Sequence, residues 1–94
     1  MIECFLTVEN RLGLHARPAS LFVQTTNKFK SKIRVSKENL EVDGKSIMGL
    51  LMLAAPMGTA LKVVIEGDDE KEMLEKLRAL FSARFGEDTD YQIK

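Results

Sequence analysis

Cysteine, tyrosine, histidine and any surplus of one charge are scarce in this sequence, and each scarcity removes a class of explanation. Cys4 is the single cysteine, so no intrachain disulfide can form and there are too few thiols for a metal cluster. It lies in the apolar run 2–8 and is expected as a buried structural thiol in a reducing compartment. Fourteen basic and fourteen acidic residues give a formal net charge of zero, so the total draws the chain to neither nucleic acid nor an anionic membrane. One Tyr and five Phe leave few rings for stacking on bases. The chain shows no signal-peptide pattern and no apolar stretch long enough to span a bilayer, so a cytoplasmic location is expected.

With 94 residues, 45% hydrophobic and 30% charged, the chain has the size and composition of one globular domain, expected over residues 1–94. Ile2, Cys4, Leu6 and Val8 alternate with Glu3 and Thr7, the period of a strand with one buried face. A polar connection, ENRLGL at 9–14, leads to a helix predicted from Ala16 to Lys28, with Pro18 in its first turn and a core stripe of Ala19, Phe22, Val23 and Thr26. Ile33 and Val35 mark a second strand and Leu40 and Val42 a third, with a tight turn at Glu38-Asn39. An apolar helix follows from Ile47 to Ala55, then a strand carrying Leu61, Val63 and Ile65. The last helix is predicted from Asp69 to Phe85, with Met73, Leu74, Leu77, Leu80 and Phe81 as its stripe, Asp69 and Glu72 as an N-terminal capping arrangement, and Gly86 as its stop. The order β-α-β-β-α-β-α reads as an α+β domain, a four-stranded sheet with helices on one face. Spacing alone leaves the strand order open.

Gly13-Leu14-His15-Ala16-Arg17-Pro18-Ala19 departs from core-building logic. The lone histidine falls at the N-cap of the first helix, where unpaired backbone amides and the positive end of the dipole favour an anion. Arg17 adds a fixed charge whose fork suits phosphate oxygens. The same positive groups disfavour imidazolium, so the ring is expected neutral and nucleophilic toward phosphorus, and stabilising to a phosphoryl group once attached. The sequence sets no acid, base or metal cluster beside His15, which suits a relay that borrows catalytic groups from its partners. The spacing alone is equally compatible with an imperfect N-cap beside a solvated arginine.

The same stretch closely resembles the active-site signature of HPr, the histidine-containing phosphocarrier family of the bacterial phosphoenolpyruvate-dependent phosphotransferase system, and Lys45-Ser46-Ile47-Met48-Gly49 resembles that family's second signature. The two stand at the family's separation, and the element order covers the whole chain. The resemblance implies an open-faced sandwich with antiparallel strands in the order 1-4-2-3. It implies that His15 takes a phosphoryl group on Nδ1 from enzyme I and passes it to IIA proteins or domains, with Arg17 contacting the group beside the backbone amides of Ala16 and Arg17. It implies no cofactor, no metal and no enzymatic turnover.

The second signature opens a segment with almost no polar face. Ile47, Leu50, Leu51 and Ala54 supply the stripe a helix needs to rest on a sheet, leaving Met48 and Met52 surplus and exposed. Flexible exposed Met side chains serve docking surfaces that accept several partners. Leu21 lies off the first helix's stripe, so a docking patch of Ser20, Leu21, Gln24, Ile47, Met48 and Met52 beside His15 is expected. Ser46 reads first as a helix N-cap. By resemblance it is also a regulatory phosphorylation site for HPr kinase/phosphorylase, where a phosphate would put negative charge in the docking patch.

Ala54-Ala55-Pro56-Met57-Gly58 departs from the Gly-rich stretch of many sugar-pathway HPr sequences, and the ending Leu80 to Asp88 resembles the nitrogen-related branch, NPr. The serine context points to the carbon branch, so the circuit stays open at this point. A small-ligand or RNA-binding module with the same element order would need a stacking surface, a basic stripe or a Gly-rich phosphate loop, none of which the sequence has. A monomer is expected.

Overall fold

The structure is a computed structural model that describes residues 1–87; the rest of the expected domain, 88–94, including Asp88 of the NPr-like ending, lies outside the described residues. Strands β1 (Ile2–Thr7), β2 (Lys32–Lys37), β3 (Leu40–Asp43) and β4 (Ala60–Glu66) interleave with helices α1 (Ala16–Thr26), α2 (Ile47–Met52) and α3 (Glu70–Ser82). The strands form one antiparallel sheet in the order β1-β4-β2-β3, with the three helices on one side.

Alternation along the strands fixes the register. Cys4, Val63, Val35 and Val42 lie opposite one another across the four strands. Their neighbours Glu3, Val64, Arg34 and Asp43 form the adjacent row on the other face, because successive side chains point to opposite sides. On the covered side, Pro18, Ala19, Phe22, Val23 and Thr26 of α1 and Met73, Leu77 and Phe81 of α3 are buried. Phe22 and Phe81 meet edge to face with centroids 6.0 Å apart, and burying each ring contributes about 1.5–3 kcal/mol.

Five local expectations change. α1 ends at Thr26 rather than Lys28, and the Thr26 hydroxyl donates to Gly44 O at 2.9 Å, fastening the helix end to the approach to α2. α2 ends at Met52 rather than Ala55, because Ala54 takes a left-handed φ of 47°. With the helix cut short, the inward residues are Leu50, Leu53 and Ala55, while Ile47 is 40% exposed and Ala54 is exposed. α3 ends at Ser82, and a tight turn at Arg84–Gly86 with φ of 55° at Arg84 and 56° at Phe85 folds Phe85 back into the core. Asp69 occupies the N-cap of α3 but makes no cap; its carboxylate accepts from the amides of Lys30 and Ser31 and from the Ser31 hydroxyl. Cys4, on the edge strand β1, is half-buried rather than fully buried.

Candidate functional site

His15 is the N-cap of α1, with φ −88° and ψ −166°, so the chain runs into the helix extended. Gly13 makes this approach possible. It holds φ +75°, and a Cβ there would come within 2.6 Å of Ala55 O. That oxygen accepts from Leu14 N–H at 2.9 Å, and Gly13 O accepts from His15 N–H at 3.0 Å. The histidine loop is thereby laced to the segment leaving α2.

The His15 ring makes no side-chain cap to its own helix. Ala19 N–H donates to His15 O, and Pro18 has no N–H, so the orphan donors of the first turn are the amides of Ala16 and Arg17. Neither has an acceptor among the described residues. Arg17 is exposed and holds no ion pair there, so its guanidinium is uncommitted. The geometry therefore brings together His15, Arg17 and the Ala16 and Arg17 amides that the sequence singled out.

It also brings an acid that the sequence did not. Nε2 of His15 lies 2.9 Å from Oε2 and 3.2 Å from Oε1 of Glu87, so the expectation that no acid accompanies His15 is overturned. The two residues are 72 positions apart, and only the turn at Arg84–Gly86 after α3 delivers the carboxylate. An ionised carboxylate can only accept, so this contact requires a proton on Nε2, and in the neutral tautomer that satisfies it Nδ1 holds the lone pair. Nδ1 has no partner among the described residues. The imidazole side chain is 39% exposed and the Glu87 side chain 14%.

Asn10 completes the arrangement from the other side of the loop. Fully buried, its Nδ2 donates to Gly13 O at 2.7 Å and to Glu87 Oε1 at 2.9 Å. Its Oδ1 is buried without a partner among the described residues. The signal for Asn10 was weak but present: Asn in a tight loop tends to bond the backbone a few residues on, and here it bonds Gly13 O. Glu87 had no local signal.

Beside the ring is an open hollow of about 360 Å³, walled by Leu12 and Leu14, by Leu51 of α2, and by Ala54, Ala55 and Pro56. Lys37 Nζ donates to Leu53 O at 3.0 Å and Ala54 O at 3.2 Å, holding the far wall against β2. Around it the surface is apolar and solvent-facing: Met48 is 70% exposed, Met52 64% and Ile47 40%, joined by Leu12 and Met57, which sequence reasoning did not include. Gln24 is exposed and Ser20 and Leu21 are half-buried; with Arg17 they follow helical spacing along one face of α1.

Ser46 is the N-cap of α2, its Oγ accepting from Gly49 N–H at 3.0 Å. The described residues contain no cluster of His, Cys, Asp and Glu that could hold a metal ion, and no helix among them is long and apolar enough to cross a membrane.

Comparison with known proteins gives the setting for this geometry. Residues 2–83 match the PTS-HPr family, described as "PTS HPr component phosphorylation site". The phosphocarrier protein HPr of Xylella fastidiosa strain Temecula1 is 49% identical over 89 residues, 95% of this chain and 100% of its own length. The crystal structure of HPr-C-His from Thermoanaerobacter tengcongensis superposes with a TM-score of 0.89 at 48% identity, covering 94% of this chain and 99% of its own. A crystal structure of an HPr dimer from the same organism superposes at 0.74 with 48% identity, covering 93% of this chain and 100% of that one. An open-faced sheet in the order 1-4-2-3, with a full-length match at nearly half identity, places this chain in the HPr family, the phosphocarriers of the phosphotransferase system.

Proposed function

We propose that this protein accepts a phosphoryl group on Nδ1 of His15 from enzyme I, ultimately from phosphoenolpyruvate, and passes it to IIA proteins or domains. The observation that carries this reading is an imidazole whose Nε2 is engaged by Glu87 while, among the described residues, Nδ1 and two amides at the helix N-terminus have no partner. Anions bind where such amides and a helix dipole converge, and the uncommitted Arg17 supplies the forked donor suited to phosphate oxygens. The chain acts as a carrier without turnover of its own, the groups that drive transfer coming from its partners.

The docking surface is the exposed apolar patch of Ile47, Met48 and Met52 on α2 with Ser20, Leu21 and Gln24 on α1. Its side chains are flexible and solvent-facing, as a surface that meets both a donor and several acceptors requires. Ser46, at the edge of that patch, is a regulatory phosphorylation site for HPr kinase/phosphorylase. Its hydroxyl serves the Gly49 amide, so a phosphate there keeps an acceptor at the helix start while adding charge to the docking face. The protein works in the cytoplasm, as a monomer, in sugar uptake or in carbon or nitrogen regulation.

Incubation with enzyme I and phosphoenolpyruvate tests the reading. Acid-labile phosphate should appear on the protein and be absent from His15→Ala of unchanged melting temperature. Labelling of that variant, or none of the wild type, would overturn it.

A further inference from the structure

The clamp on Nε2 differs from the rest of the site. The amides and Arg17 belong to the first turn of α1, whereas Glu87 engages Nε2 of the ring from 72 positions along the chain and is itself held by a fully buried amide. Glu87 is thus gripped from two sides, by the ring and by an amide that also bonds Gly13 O in the histidine loop.

We propose that Glu87 is a positioning residue for phosphoryl transfer, with Asn10 as its anchor: together they fix the proton of His15 on Nε2 and offset the charge that the ring gains when Nδ1 takes the phosphoryl group. The inference rests on the reading of His15 as the acceptor.

The chemistry follows the geometry. In transfer from a phosphorylated donor protein, the Nδ1 lone pair forms the new N–P bond while the bond from phosphorus to the donor breaks, its electron pair returning to the donor atom. The ring keeps its Nε2 proton throughout and becomes cationic. A carboxylate already 2.9 Å from Nε2 stabilises that charge without moving, as a carboxylate behind a catalytic imidazole does generally. In the return step Nδ1 recovers its pair, the charge disappears and the same contact remains. Without it, a neutral imidazole is free to place its proton on Nδ1, and that form has no lone pair to offer phosphorus.

Asn10 makes the arrangement directional. Its Nδ2 claims Oε1 of Glu87, leaving Oε2 as the nearer atom to the ring. In Glu87→Gln the amide oxygen is drawn to Asn10, so the amide NH₂ faces Nε2. Two donors then confront each other, and the ring relieves the conflict by moving its proton to Nδ1. The isosteric variant should therefore be worse than simple removal of the side chain.

The test is ¹⁵N NMR of His15 in the intact protein, about two pH units above the ordinary imidazole value of about 6.5, for wild type, Glu87→Ala and Glu87→Gln, with phosphoryl uptake from enzyme I measured on the same samples. The wild type should show the Nε2–H form, Glu87→Ala a mixture, and Glu87→Gln a predominance of Nδ1–H. Uptake should fall about 10- to 100-fold, most in Glu87→Gln, with melting temperatures little changed. An unchanged tautomer in Glu87→Gln, or unchanged uptake in both variants, would overturn the inference while leaving the carrier reading intact. A wild type that shows the Nε2–H form but takes no phosphate would sink the carrier reading instead.

Discussion

Helices α1 and α2 both begin on a residue in extended backbone, yet their first turns are wired in opposite senses. At α2 the Ser46 hydroxyl turns inward and accepts the Gly49 amide, closing the first turn with the helix's own side chain. At α1 the His15 ring turns outward to Glu87, and the amides of Ala16 and Arg17 remain without protein acceptors among the described residues. A capped helix start has already satisfied one of its orphan amides from its own chain. An uncapped one forgoes about 1 kcal/mol and keeps donors in reserve for a ligand. The comparison separates a start closed by its own side chain from one that leaves its first amides open, although both residues occupy the same position in their helices.

The sharpest way to break that contrast is to close the open first turn of α1. His15→Ser places a hydroxyl where it can serve the first-turn amides, as Ser46 does on α2. The helix should gain up to about 1 kcal/mol, seen as an equal or higher melting temperature, while acid-labile phosphate uptake falls to background. Residual uptake at the wild-type level would show that the open amides and the imidazole are not one unit.

A smaller but still large effect should follow from disturbing the loop that presents the ring. Gly13→Ala forces a left-handed φ on a residue with a Cβ and drives that carbon into Ala55 O, the acceptor for Leu14 N–H. The expected cost is about 1–3 kcal/mol in denaturant unfolding. Because Gly13 O also accepts from Asn10, the His15–Glu87 contact should weaken with it, visible in the His15 ring signals. The converse substitution at the capped start of α2 sharpens the comparison further. Ser46→Ala should cost about 1 kcal/mol and leave transfer to His15 unchanged, whereas Ser46→Asp should keep the cap. A loss of uptake in Ser46→Ala at full stability would mean that the two helix starts are coupled.

The legible and illegible parts of this molecule divide along a physical line. The strands, the α1 stripe of Ala19, Phe22, Val23 and Thr26, and the exposure of Met48 and Met52 follow from periodicity, because burial on one face imposes the period of the element. His15, Arg17 and the first-turn amides were legible because the start of a helix is decided locally. What periodicity missed was set by backbone conformation or by distance along the chain. The left-handed Ala54 shortens α2 and swaps Ala54 for Leu53 and Ala55 in the core. The left-handed pair Arg84 and Phe85 turns the segment after α3 back toward the site, and only then can Glu87 reach a ring 72 residues away. The sheet order likewise came from family resemblance, since the period of a strand says nothing about which strands become its neighbours.

The start of α3 supplies the smallest effect and tests whether an N-cap position can be used for something other than its own helix. Asp69 leaves α3 uncapped and ties the 30–31 segment to it. Its carboxyl is held below the ordinary aspartate range, first by the Ser31 hydroxyl and then by the Lys30 amide. A carboxyl that ionises more easily in the folded chain than in the unfolded one stabilises the fold in its charged form. That contribution is complete above the unfolded value of about 3.9 and disappears as pH falls through the lower folded value. Asp69→Asn should therefore be less stable than the wild type at neutral pH, with the gap narrowing below about pH 4 as the wild type loses its advantage. Glu70, lowered by the Gly67 amide and the N-terminal ammonium group, keeps its own acid dependence in both proteins. Denaturant midpoints from neutral to acid pH measure the difference. A gap that persists unchanged into acid would mean that Asp69 holds the 30–31 segment by shape alone, its charge contributing nothing.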